Sequence, residues 1–182
     1  MAANNDITVP ECRHFVTHCD HRYLPKALAL HASLKRHHNS FILWVVCTSD
    51  EAEDHVRVLS DETIRPIPLH RIEETYPQLL QAKTNRSIVE YYYTISPAVC
   101  RFVLENQQCN GMVTYLDADM FFFSSPERVF ELFGQSSIGI TPHRFSFWVR
   151  HARKVGEYNV GWVTFRNDVN GTSCLKWWFD RC

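Results

Sequence analysis

What this chain lacks narrows its class first. No apolar run approaches the roughly 20 residues that a membrane-spanning helix needs, so no transmembrane segment is expected. Its 19 basic and 20 acidic residues leave a formal net charge of -1. No global basic field therefore argues for a nucleic-acid partner. The opening Met1-Ala2-Ala3-Asn4-Asn5-Asp6 has neither the basic start nor the apolar core of a secretory signal. The seven cysteines are odd in number and form no Cys-x-x-Cys pair. Together with the missing signal, this predicts reduced thiols and a cytoplasmic chain, at most peripheral to the inner face of a membrane. No internal repeat, low-complexity tract or linker divides the sequence, so one domain over 1–182 is expected. Hydrophobic residues make up 45% of the chain, enough for an ordinary globular core.

What is present centres on Met112-Val113-Thr114-Tyr115-Leu116-Asp117-Ala118-Asp119-Met120-Phe121-Phe122-Phe123. Read as a buried strand, it carries Asp117 and Asp119 to its C-terminal edge, where open α/β sheets bind ligands. Positions i and i+2 of a strand share a face. Two hard oxygen ligands on one face suit Mg²⁺ or Mn²⁺, the ions that accompany phosphates. The stretch thus predicts a metal-dependent site for a nucleotide diphosphate.

The remaining chain alternates strand and helix patterns. Strands are predicted at Arg13 to His18, Phe41 to Cys47, Thr63 to Leu69, Ser137 to Ile140 and Tyr158 to Phe165. The continuous apolar run at Phe41 fits a strand buried on both faces, and the prolines near Leu69 fit an edge. Helices are predicted from Tyr23 to about Lys35, from the Ser49-Asp50 cap to about Leu59, and from Asn167 to Cys182. Ile72 to Gln81 reads as a short helix broken by Pro77, and Ile88 to Tyr93 as helix or strand. Ser96-Pro97 reads as the N-cap and first residue of a helix holding Val99 and Leu104. Ser125-Pro126-Glu127 opens another, closed by Gly134. This order predicts an α/β sandwich with a mostly parallel sheet.

At Tyr115-Leu116-Asp117-Ala118-Asp119 the sequence resembles the glycosyltransferases of the GT-A fold. It is similar to the family 8 and glycogenin-like group of nucleotide-diphospho-sugar transferases. Three further places carry the likeness: Phe15-Val16-Thr17 followed by Tyr23-Leu24, Ser125-Pro126 followed by Leu132-Phe133, and Asn159-Val160-Gly161 before an apolar strand. The resemblance implies a Rossmann-like three-layer sandwich. It implies transfer of a hexose from a nucleotide diphosphate sugar to a glycan, lipid-linked or protein acceptor, with retention. It assigns Asp117 and Asp119 to Mn²⁺ or Mg²⁺, and catalysis to Asp117, Asp119 and Asn159. It assigns nucleotide-sugar contacts to Thr17, Asp20, Tyr23, Arg86, Thr94, Asp117, Ala118, Asn159 and Gly161. The family commonly adds a histidine ligand well after Asn-x-Gly, where this chain has ended at Cys182. A C-terminally truncated domain is therefore expected. The alternative is a truncated or degenerate GT-A domain that binds sugar nucleotide or a partner without turnover.

Each residue also has a plainer reading. Thr17 and Asp20 suit ordinary turn chemistry, and Tyr23 suits packing on a helix face. Arg86 either forks onto a phosphate or is a solvated loop arginine. Thr94 either binds a ligand at a helix N-terminus or simply caps it. Asn159 offers a donor and an acceptor, and Gly161 allows close backbone approach; both also suit a bulged strand entry. His143, Arg144, Arg150, His151, Arg153 and Lys154 read as a solvated loop rather than a lid. The cluster Cys12, His14, His18, Cys19 and His21 matches no paired zinc-ligand spacing. A phosphotransferase of the Asp-x-Asp-x-Thr type needs Thr or Val where this chain has Phe121.

Overall fold

The computed structural model describes residues 12–107, 109, 111–146, 148 and 156–182. Its strands are β1 (Arg13–Cys19), β2 (Phe41–Cys47), β3 (Ile64–Pro68), β4 (Met112–Leu116), β5 (Ile138–Pro142) and β6 (Tyr158–Arg166). Its helices are α1 (Leu24–His37), α2 (Asp50–Val58), α3 (Leu69–Thr75), α4 (Gln78–Asn85), α5 (Ile88–Asn106), α6 (Glu127–Phe133) and α7 (Val169–Arg181).

The strands form one six-stranded sheet in the order β3-β2-β1-β4-β6-β5. β1 pairs in parallel with β2 and β4, and β2 with β3. β6 runs antiparallel to both β4 and β5. Apolar side chains on the two faces make two cores. Phe15, Leu43, Leu116 and Trp162 meet α1, α2 and α6 on one face. Val16, Trp44, Tyr115 and Phe165 meet α3, α4, α5 and α7 on the other. The result is the expected three-layer α/β/α sandwich with a mostly parallel sheet. β3 lies at the sheet edge, as its prolines require.

Strand order sets the position of the site. The chain winds outward through β1, β2 and β3, then returns to place β4 on the far side of β1. The C-terminal ends of β1 and β4 are therefore a topological switch point, the crevice where such sheets bind ligands. The turn at Asp20 leaves β1 there, and Asp117 leaves β4 there.

The structure corrects three local expectations. First, Ser96-Pro97 does not open a helix. α5 starts nine residues earlier, where the Ser87 hydroxyl accepts the Glu90 N–H and the Glu90 carboxylate accepts the Ser87 N–H. This reciprocal capping box satisfies two free backbone groups at once. Pro97 is then a buried interior residue. The ambiguous Ile88 to Tyr93 segment is the first part of that helix. Second, the helix expected over Ile72 to Gln81 does break at Pro77, the N-cap residue of α4, but its two parts reach further, from Leu69 to Thr75 and from Gln78 to Asn85. Third, β4 ends at Leu116, before either aspartate. Ala118 and Asp119 lie in a turn, with the Met120 N–H donating to the Asp117 carbonyl at 3.0 Å. The turn, not the strand pleat, relates the two carboxylates.

Candidate functional site

The Asp117 N–H donates to the Gly161 carbonyl at 3.1 Å, extending the β4–β6 ladder by one bond. Because β6 is antiparallel, its first residues lie beside the last residues of β4, with Leu116 opposite Trp162. This brings Asn159 and Gly161 to Asp117. The Asn159 side-chain oxygen accepts the Gly161 N–H at 2.7 Å. A β-carbon at Gly161 would sit 3.0 Å from Asn159 Oδ1 and 3.2 Å from Asp117 Oδ2. The missing side chain leaves room beside that carboxylate oxygen, as close approach requires.

Asp117 is exposed at the end of β4. Packing raises its pKa above the ordinary carboxylate value. A hydrogen bond from Tyr115 opposes that rise, and the Asp119 charge adds to it. A bound divalent cation would reverse this balance.

Asp119 is exposed. The Lys26 ammonium lies 3.7 Å from its Oδ2 and 4.2 Å over the Tyr23 ring. Tyr23 itself is half-exposed. Asp20 accepts the backbone N–H groups of Arg22 and Tyr23, each at 3.0 Å, and so shapes the turn that presents Tyr23. Asp117, Ala118, Asp119, Asn159 and Gly161 are thus together, and Lys26 links Asp119 to Tyr23. Ala118 is buried.

Three expected residues stand elsewhere. Thr17 is fully buried in β1, and its hydroxyl has no hydrogen-bond partner. Thr94 is not before a helix N-terminus but inside α5, where its hydroxyl donates to the Glu90 carbonyl at 2.8 Å. Arg86 donates to that same hydroxyl. Arg86 and Thr94 line an open cavity of about 340 Å³ with residues of α4 and α7, including Gln78 and Phe179. Neither Asp117 nor Asp119 lines it.

Of the basic loop, the His143 N–H donates to the Glu157 carbonyl at 2.9 Å, and Arg144 has a positive φ of 48°. Arg150, His151, Arg153 and Lys154 lie outside the described residues. His14 is bonded to the Trp44 indole N–H and His18 to Tyr115, so these two histidines have separate partners. Among the described residues no three His, Cys, Asp or Glu side chains gather as a metal centre. The donor set at Asp117 and Asp119 still fits a hard divalent ion. Such ions bind through one or two carboxylates and fill the other positions with phosphate oxygens and water.

Known proteins agree with this architecture. No family model matches the sequence. Two uncharacterized proteins of Bacillus subtilis (strain 168) are similar to it. YfnD is 29% identical over 170 residues, covering 93% of this chain and 54% of its own. YfnF is 29% identical over 166 residues, covering 87% and 54%. The chain therefore spans about half the length of the curated relatives it matches. Among solved structures, mouse xyloside xylosyltransferase 1 superposes with a TM-score of 0.61 at 16% identity, over 94% of this chain and 74% of that one. The glycosyltransferase GlyE of Streptococcus pneumoniae TIGR4 gives 0.56 at 17% identity, over 91% and 37%. The galactosyltransferase LgtC, solved with donor and acceptor sugar analogs, gives 0.54 at 17% identity, over 92% and 59%.

The fold is the GT-A glycosyltransferase fold.

Lys26 and His18 stand near the ends of β1 and β4 and have no part in the site expected from the sequence. Lys26 is an exposed position of α1, and the Asp119 turn approaches it. His18, part of the cluster compared with zinc-ligand spacing, lies against Tyr115. Neither residue carries a spacing signal. Among the described residues, no helix is long and apolar enough to cross a membrane.

Proposed function

We propose that this chain is the nucleotide-sugar-binding domain of a glycosyltransferase of the family 8 and glycogenin-like kind. It would move a hexose from a nucleotide diphosphate sugar to a glycan, lipid-linked or protein acceptor, with retention. The observation that carries this reading is the convergence of Asp117, Asn159 and Gly161 at the switch point of a sheet whose fold neighbours are glycosyltransferases. Asp117 and Asp119 would hold Mn²⁺ or Mg²⁺. When bound, such an ion offsets charge growing on the departing nucleoside diphosphate. Asn159 spends its oxygen on Gly161 and keeps its amide N–H groups for a sugar hydroxyl. Tyr23 presents an open ring to a base, held out by the Asp20 turn. Ala118 contributes a small side chain where the donor must come close. Thr17 and Thr94 are buried and are left out of the contact set. We place the chain in the cytoplasm, or against the inner face of a membrane, on its seven scattered cysteines, which form no Cys-x-x-Cys motif.

The test is a thermal shift with UDP or GDP, with and without Mn²⁺, beside an assay for nucleoside diphosphate released from sugar donors. At a ligand concentration about a hundred times Kd, the expected rise in Tm is about 5 °C or more, dependent on Mn²⁺. Asp119→Ala should abolish it. If neither nucleotide shifts the wild type, the reading fails. A second reading, a domain that binds sugar nucleotide without turnover, is favoured by the absence of a third His, Cys, Asp or Glu ligand among the described residues. A metal-dependent shift with no donor consumed would select it.

A further inference from the structure

The cavity of about 340 Å³ between α4, α5 and α7 has no part in the proposed reaction. Gln78, Gln81 and Asn85 stand at i, i+3 and i+7 of α4, so they form one row along the helix. All three line the cavity. A helix laid on a core ordinarily turns apolar residues inward. Here a row of carboxamides borders the space instead. Among the described residues, none of these three side chains has a hydrogen-bond partner.

The walls are held in place. The Lys83 ammonium of α4 donates to the Glu73 carboxylate of α3 at 2.7 Å. The Tyr91 hydroxyl of α5 donates to the same oxygen at 2.7 Å. Leu79 anchors α4 in the core beside the buried Tyr91. The Arg86 guanidinium is tied to the buried Thr94 hydroxyl, whose own proton goes to the Glu90 carbonyl. That bond occupies one of five N–H donors and leaves the rest of the fork for a ligand. Asp180 of α7 adds a carboxylate to the lining, and Phe179 adds apolar surface.

This lining selects a ligand by its chemistry. A guanidinium and a carboxylate both border the cavity, so a charged ligand of either sign meets its own sign there. Each carboxamide offers two donors and an acceptor. A neutral ring dense in hydroxyl groups, each both donor and acceptor, matches that set. The volume lies at the small end of the range for such sites, about 300–1,000 Å³. We propose that this cavity is a saccharide-binding site, distinct from Asp117 and Asp119, in which Gln78, Gln81, Asn85 and Arg86 bond the hydroxyl groups of a neutral pyranose. It lies at the same edge of the sheet as Asp117. Tyr92 and Ser96 flank Thr94 on α5; the Tyr92 hydroxyl is 3.3 Å from that of Thr48, just past β2, and the Ser96 hydroxyl is 3.4 Å from His18 on β1. One part of an acceptor glycan held here raises the local concentration of another part at the carboxylates. That use rests on the proposed function; the binding itself does not.

The test is nitrogen-edited NMR of the whole 182-residue chain, without metal or nucleotide. It is titrated to tens of millimolar with methyl β-galactoside, methyl β-glucoside, lactose and maltose. At least one sugar should shift the side-chain amide signals of Gln78, Gln81 and Asn85, each assigned by its loss in the alanine variant. Gln81→Ala, Asn85→Ala and Arg86→Ala should each weaken that sugar about two- to tenfold, the cost of one hydrogen bond. All three positions are exposed, so the variants should fold. If no sugar moves these signals, or if the variants bind as the wild type does, the proposal is overturned. Triglycine, a neutral polar peptide, should bind more weakly than the sugar; tighter binding overturns the saccharide assignment. Gln81→Ala should leave the Mn²⁺-dependent shift with UDP unchanged. Sugar binding in a wild type that shows no such shift overturns the proposed function and upholds this site.

Discussion

At the scale of single residues, the site is a contest among a few charges. Lys26 lies 3.7 Å from Asp119, and both groups are about half-exposed, so the pair adds little to stability. Its larger effect is on any cation that approaches Asp119. Two like charges this close in a water-exposed site repel by about 1 kcal/mol. Lys26→Ala should therefore leave Tm within about 2 °C and tighten binding of Mn²⁺ alone by about two- to fivefold, measured by titration calorimetry. Weaker binding of Mn²⁺ with UDP in the same variant would show that the ammonium serves the diphosphate. Asp117, Asn159 and Gly161 were legible because their residue types announce hard ligation, two-way hydrogen bonding and close approach. Lys26 was not, since any exposed helix position reads alike until a neighbouring turn is placed beside it.

At the scale of elements, competing start signals decide helix boundaries. α5 offered two. Ser96-Pro97 has the right residue types, but Ser87 and Glu90 satisfy each other's free backbone groups. The earlier cap wins because the residues it adds, including Tyr91 and Thr94, are buried. Ser87→Ala should cost about 1 kcal/mol and lower Tm by about 2–4 °C in a thermal melt. Ser96→Ala should leave the helix start where it is, since that hydroxyl returns to the Tyr92 carbonyl. Strand contents were legible element by element: β2 is the apolar run Phe41–Cys47 in full. Strand direction was not. The alternating and continuous apolar patterns of a strand read the same whichever way it runs. Yet the reversed direction of β6 is what lays Asn159 beside Asp117.

At the scale of the whole molecule, His18 joins β1, β4 and α5, and its titration should report on the entire fold. Its folded pKa, about 4, lies below the unfolded value of 6.5. The unfolded chain therefore binds the proton first. The stability tied to the neutral ring is complete above pH 6.5 and is lost as pH falls from 6.5 towards 4, about 3 kcal/mol in all. Denaturant melts across that window should show stability falling with pH in the wild type and a flatter profile in His18→Gln. The lowered carboxylates of Asp61 and Glu127 act further down, below their ordinary range, so the windows are largely separate. The sequence by itself determined the class of this molecule: alternating strand and helix patterns, apolar runs sized for a covered sheet, and a carboxylate pair at a strand end. Those are local properties of residue type and period, readable without partners. Only the tertiary structure decided which residues share the site. The strand order made the β1–β4 edge a crevice, the antiparallel β6 brought the Asn-x-Gly segment to it, and α5 and the end of α4 placed Thr94 and Arg86 at another cavity. Residues far apart in the chain meet through sheet register and helix phase, and neither is written in any one stretch.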